Sequence, residues 1–149
     1  MTYLPSLQDL GFTIDEWSRP KDPRSCIEFK GGEDEGMKRC KYYIWDSRKI
    51  GRYVDTRNGI MGADYSSKLS PWLACGALSP RYVYWETKKY EAKYKANKST
   101  THFISELFWR DFCHWYCYRH GDRVFYEYGA LGKSAPKWKV NQDTIQRWK

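Results

Sequence analysis

Ser66-Ser67-Lys68-Leu69-Ser70-Pro71-Trp72-Leu73-Ala74-Cys75-Gly76, running on into Ala77-Leu78-Ser79-Pro80, is the stretch that decides the fold. Ser70 before Pro71 reads as an N-cap followed by a first-turn proline, and Gly76 as a C-terminal stop. The run therefore predicts a helix of barely two turns. Ser79-Pro80 repeats the device and opens a longer helix through about Lys95. Outward from this pair, a third helix is expected from Ser99 or Thr100 to His120, closed by Gly121. Upstream, a helical stretch follows Gly31-Gly32-Glu33, with Met37, Cys40, Tyr43 and Ile44 on one face. Arg57-Asn58-Gly59 marks a turn, and a further helix begins at Asp143. No strand-like alternation of useful length occurs, so the expected class is all-α. Residues 1–30, punctuated by Pro5, Pro20 and Pro23, read as an irregular leading segment before a helical region over 31–149.

Composition narrows the chemistry. The 149 residues suffice for one domain with a real core. Aromatic residues make up 18% of the chain, including 8 Trp and 13 Tyr, which suits both an aromatic core and stacking on flat ligands. The net charge is +8, and it is uneven: residues 81–149 hold 14 of the 26 Lys and Arg but only 7 of the 18 Asp and Glu. Such a one-sided basic surface fits either a polyanionic partner or a solvated face. The five cysteines form no disulfide framework, and no apolar run approaches a membrane span, so an intracellular location is expected. Cys113, Cys117 and His120 share a helical stripe, but no fourth ligand lies close by, and no metal site is assigned.

Two constellations carry candidate chemistry. Ser66, Ser67 and Ser70, with Lys68, precede a helix start, where free N–H groups and the dipole favour a phosphate. The same residues also read as a cap and its turn. On the third helix, Glu106, Trp109, Arg110 and Cys113 fall at i, i+3, i+4 and i+7, while Ile104, Leu107, Phe108 and Trp115 can face the core. The stripe offers a ring to stack on a base, a cation for phosphate and a carboxylate for a heterocycle N–H. It reads equally as a Glu106–Arg110 ion pair beside a half-buried Trp. Tyr53 and Arg57, at i and i+4, share a face if that segment is helical.

The run from Tyr53 to Arg81, with Thr56-Arg57-Asn58-Gly59 and Asp64-Tyr65-Ser66-Ser67-Lys68-Leu69-Ser70-Pro71-Trp72-Leu73-Ala74, closely resembles the FAD-binding region of photolyases and cryptochromes. It is most similar to the cryptochrome-DASH branch, and Glu106-Leu107-Phe108-Trp109-Arg110-Asp111-Phe112 resembles the family's signature helix. The resemblance implies the first half of that family's helical FAD-binding domain. It implies FAD contacts at Tyr53, at Ser66, Ser67, Lys68, Leu69 and Ser70, and at Phe103, where some members have Trp. It implies that Glu106 hydrogen-bonds a flipped pyrimidine dimer, that Trp109 stacks on it, and that Arg57 and Arg110 contact DNA, with Cys113 on the same stripe. By spacing, Trp138 matches the outermost Trp of the chain that photoreduces FAD.

The implied activity is light-driven repair of cyclobutane pyrimidine dimers, in single-stranded DNA by preference, by electron transfer from reduced FAD. A blue-light photoreceptor without repair activity and a cofactor-free helical nucleic-acid-binding module are the alternatives. Glu106 and Trp109 together favour repair, and the Ser66–Ser70 loop favours a flavoprotein. The family's α/β antenna domain and its later flavin residues have no counterpart here. The chain is therefore expected to be a part, not holding FAD stably on its own.

Overall fold

The computed structural model describes residues 5–13, 22–132 and 141–148. The described residues contain helices and turns and no strand, in agreement with the all-α expectation. The order is α1 (Glu33–Lys41), a π-helical turn (Tyr42–Asp46), a 3₁₀ turn (Lys49–Arg52), α2 (Tyr53–Thr56), α3 (Ser70–Ala74), α4 (Pro80–Tyr94), α5 (Lys98–His120), a second 3₁₀ turn (Gly121–Phe125) and α6 (Gln142–Trp148). Among the described residues before Glu33 there is no helix.

α1 carries Glu33, Asp34 and Glu35 in its first turn and Lys38, Arg39 and Lys41 in its last, which complements the helix dipole. Its buried stripe is Gly36, Arg39 and Cys40, continued by Tyr43 and Ile44 in the π turn. Met37, expected on that stripe, is exposed instead. The inward position belongs to Gly36, where an added Cβ would lie 3.0 Å from the Trp72 ring. Only a residue without a side chain lets that ring lie on the helix.

α3 begins one residue earlier than the Ser-Pro signal implies. Leu69 already has αR dihedrals and is the N-cap residue, so Ser70 lies inside the helix and makes no capping bond. Its hydroxyl is thereby left for the cleft described below. Ser79 does hold the extended N-cap conformation before Pro80, also without a side-chain cap.

α5 starts from Asn97, whose side-chain oxygen accepts from the N–H groups of Ser99 (2.8 Å) and Thr100 (3.0 Å). Thr100 Oγ1 in turn accepts from the Asn97 N–H at 3.1 Å, completing a capping box. Asn97 Nδ2 also donates to the Gly51 carbonyl at 3.1 Å. Asn97→Ala is expected to cost about 1 kcal/mol of stability, read as a lowered denaturation midpoint with an unchanged slope.

Ser99, Thr100, Phe103 and Leu107 form the buried face of α5, against α2, the first 3₁₀ turn and α4. Phe108 and Trp115, expected in the core, are 59% and 69% exposed, and Ile104 is half-buried. The reason is geometric. Phe108 is one residue, about 100° of helix rotation, off the buried line. Trp115 lies where α5, about 34 Å long, has outrun α4, about 22 Å long. The main core gathers Tyr43, Ile44, Ile50, Leu69, Trp72, Leu78, Val83 and Phe103 around α1, α3, α4 and α5.

Candidate functional site

The Ser66–Ser70 loop reaches its shape through two left-handed residues, Ser66 (φ 62°) and Lys68 (φ 59°). For residues with a Cβ this costs on the order of 1–3 kcal/mol each, so neighbours must impose it. Arg39 does so from α1. Its guanidinium, nearly buried, donates to the carbonyls of Ser67 (2.9 Å) and Ala63 (2.6 Å). Leu69, 1% exposed, anchors the end of the loop in the core. Sequence reading passed over Arg39, because an Arg on a charged helix is ordinarily solvated. Its spacing from Gly36 and Cys40 was the available signal.

The loop opens onto a cavity of about 410 Å³. Its lining combines Ser66, Ser67, Ser70 and Arg110 with Tyr53, Leu73, Phe103 and Leu107. Glu106 lies on the same lining, and His114 adds a titratable group that sequence reading missed, although it sits one turn beyond Arg110. Phe103, 4% exposed, meets Tyr53 edge-on at 5.2 Å between ring centres. Burial first, and then the nearby Glu106, holds the Tyr53 phenol above the usual tyrosine range. It is therefore a neutral hydroxyl.

The Glu106–Arg110 pair allowed by the sequence does not form. Glu106 pairs instead with Arg57, which follows α2 and reaches across to α5, and Arg57 also contacts His102. The His102 ring nitrogen Nε2 is 3.1 Å from the same Glu106 oxygen. Arg110 donates to the Leu73 carbonyl at 3.1 Å, tying α5 to α3, and bonds Asp111 at 3.0 Å. Tyr53 and Arg57 do share a side, although α2 is a single turn with Arg57 as its C-cap.

Other expected residues lie apart. Trp109 is 61% exposed and lines a separate groove of about 320 Å³ with Ser105, Phe108 and Phe112. Lys68 is half-buried in the loop and Cys113 is exposed on α5, and neither lines the cavity. Trp138 lies outside the described residues. Among the described residues no cluster of three His, Cys, Asp or Glu side chains is arranged to hold a metal ion, and no helix is long and apolar enough to cross a membrane.

This arrangement of helices is part of the photolyase/cryptochrome fold. A crystallised cryptochrome from Synechocystis superimposes with a TM-score of 0.77 at 45% identity, covering 85% of this chain and 26% of its own. Over nearly its whole length the chain is similar in sequence to cryptochromes DASH, which are photolyase/cryptochrome proteins. It is 42% identical over 155 residues to the chloroplastic/mitochondrial cryptochrome DASH of Ostreococcus tauri, covering 99% of this chain and 28% of that protein. It is likewise 42% identical over 147 residues to the cryptochrome DASH of Danio rerio, covering 98% and 27%. The chain thus spans under a third of the length of these relatives. No protein-family model matches it.

Proposed function

We propose that residues 31–149 supply the cofactor-phosphate loop and the lesion-contacting helix of a DASH-type photolyase, which reverses cyclobutane pyrimidine dimers in light, preferentially in single-stranded DNA. The observation that carries this reading is the shared cavity, with the Ser66–Ser70 hydroxyls and the Glu106 carboxylate on one lining. The lining fits FAD chemically, since it offers hydroxyls and a guanidinium for phosphates together with rings and aliphatic groups for a flat heterocycle. When bound and reduced, FAD supplies the excited-state electron that splits the dimer.

The chain's own groups bind and orient. Ser66, Ser67 and Ser70 donate hydroxyl hydrogens to phosphate oxygens, and Tyr53 offers a neutral hydroxyl beside them. Glu106 accepts from a pyrimidine N–H, and Arg57, held against it, lies within reach of the strand's phosphates. Arg110 and Cys113 extend the same helix along the strand. A dimer must leave its stack to reach the cavity, which costs least in a single strand. Trp109, exposed one turn from Glu106, provides the platform for the extruded base. Trp138 takes the outermost position in the relay that reduces the flavin.

The test is blue-light reversal of a thymine dimer in single-stranded DNA by the intact protein. No light-dependent reversal would overturn the repair reading in favour of a photoreceptor. Trp109→Ala is expected to weaken dark binding of dimer-containing DNA by about 1–3 kcal/mol. Unchanged affinity in a fluorescence titration would assign Trp109 to packing instead.

A further inference from the structure

We infer that a second cleft, opening from α2 beside the first cavity, binds a nucleotide, with the phosphate on Lys49 and Arg52 and the base against Tyr65. Arg52 and Thr56 line this cleft of about 440 Å³, whereas Tyr53, next to Arg52 in the chain, lines the Glu106 cavity. α2 therefore divides two sites, and the second has no role in the reading above. Its volume is that of a small-molecule pocket.

The charges point to an anion. Lys49 and Arg52 stand three residues apart on a 3₁₀ turn, where side chains at that spacing project the same way. Neither has an ion-pair partner among the described residues, and Lys49 is half-buried. Two cations that project the same way without a counter-ion repel each other, and a bound anion relieves that repulsion. The one carboxylate on the lining is Asp64, whose Oδ2 accepts from the Tyr42 hydroxyl at 3.3 Å. Its Oδ1 is buried without a hydrogen bond among the described residues, 4.0 Å from the Arg39 guanidinium, the positive charge paired with it.

The flat wall points to a base. Tyr65 is 44% exposed, yet its ring is closely seated. A Cβ at Gly59 would come within 2.4 Å of it, and one at Gly62 within 3.3 Å. The two glycines leave the space the ring fills, so one aromatic face is fixed beside two cations. That pairing suits a flat heterocycle carrying a phosphate. The Thr56 hydroxyl, also on the lining, donates to the Arg52 carbonyl at 3.2 Å and so ties the cation-bearing turn to α2.

A free nucleotide and one unit of a nucleic-acid strand share this chemistry. The test is dark calorimetric titration of the flavin-loaded intact protein with adenosine monophosphate, inorganic phosphate and an undamaged oligothymidylate. Lys49→Ala with Arg52→Ala is expected to weaken nucleotide binding at least tenfold, with Lys49→Arg restoring it and circular dichroism unchanged. Tyr65→Leu is expected to weaken binding of the nucleotide but not of phosphate. Glu106→Gln is expected to leave adenosine monophosphate binding intact, so that this site and the repair reading fail separately. Saturable binding of adenosine monophosphate assigns the cleft to free nucleotides, and a variant-sensitive response to oligothymidylate alone assigns it to a strand. Equal affinity for phosphate and nucleotide, or indifference of both nucleotide ligands to the Lys49 and Arg52 changes, would overturn the inference.

Discussion

Replacing Trp72 with alanine is expected to lower the unfolding free energy by about 3–5 kcal/mol. The ring is 4% exposed, lies against Gly36 of α1, and meets Phe29 at 5.4 Å between ring centres. Its indole N–H donates to the Lys30 carbonyl at 2.8 Å. Alanine would open a void between α1 and α3 and leave that carbonyl without its donor. The site should suffer with the fold, because Trp72 follows directly on the Ser66–Ser70 loop. Urea unfolding is therefore expected to shift well below the wild-type midpoint, with a parallel fall in flavin retained by the intact protein. A loss under about 1 kcal/mol would mean that α3 is held chiefly by Leu69 and Leu73.

Glu106→Gln should separate chemistry from folding. The amide keeps the size of the side chain and removes the charge that Arg57 and His102 share. Glu106 is 38% exposed at its side chain, so the lost ion pair should change stability by no more than about 1 kcal/mol. A hydrogen bond to a charged group in the reacting complex contributes roughly 1.5–3 kcal/mol. Light-driven dimer reversal should accordingly fall by about ten- to a hundredfold at equal light. Comparing initial repair rates with thermal midpoints for the two proteins checks both halves. Repair at the wild-type rate would remove Glu106 from the reaction, and a matching collapse of stability would make its role structural.

Local signals made the helices legible in the sequence. Ser79-Pro80 and Gly121 carry their instructions within a turn or two, and α4 and α5 begin and end within two residues of the expected places. The start of α5 came from Asn97 and Thr100 acting together, a polar pair three apart that is as local as the others. Tertiary matters were less legible. Arg57 and Glu106 are 49 residues apart, and nothing in either neighbourhood announces that they meet. The alternative, Glu106 with Arg110, had the right spacing, but Arg110 bonds the Leu73 carbonyl instead. Hydrophobicity sent Phe108 and Trp115 inward, whereas the helical phase of Phe108 and the length of α5 beyond α4 at Trp115 leave them outside. The cavity lining was legible in part: residue type and helical spacing pick out Glu106 and Arg110, while Tyr53 and Phe103 were expected there from the family resemblance.

Arg39 has a consequence for timing as well as for shape. By holding the carbonyls of Ser67 and Ala63, it sets the loop in its unusual backbone conformation while the protein folds, before any ligand arrives. The conformational entropy of ordering the loop is then charged to folding, so a phosphate bound there as proposed would meet hydroxyls already in position. Association at this loop should accordingly follow a single concentration-dependent phase, without a slower ordering step behind it.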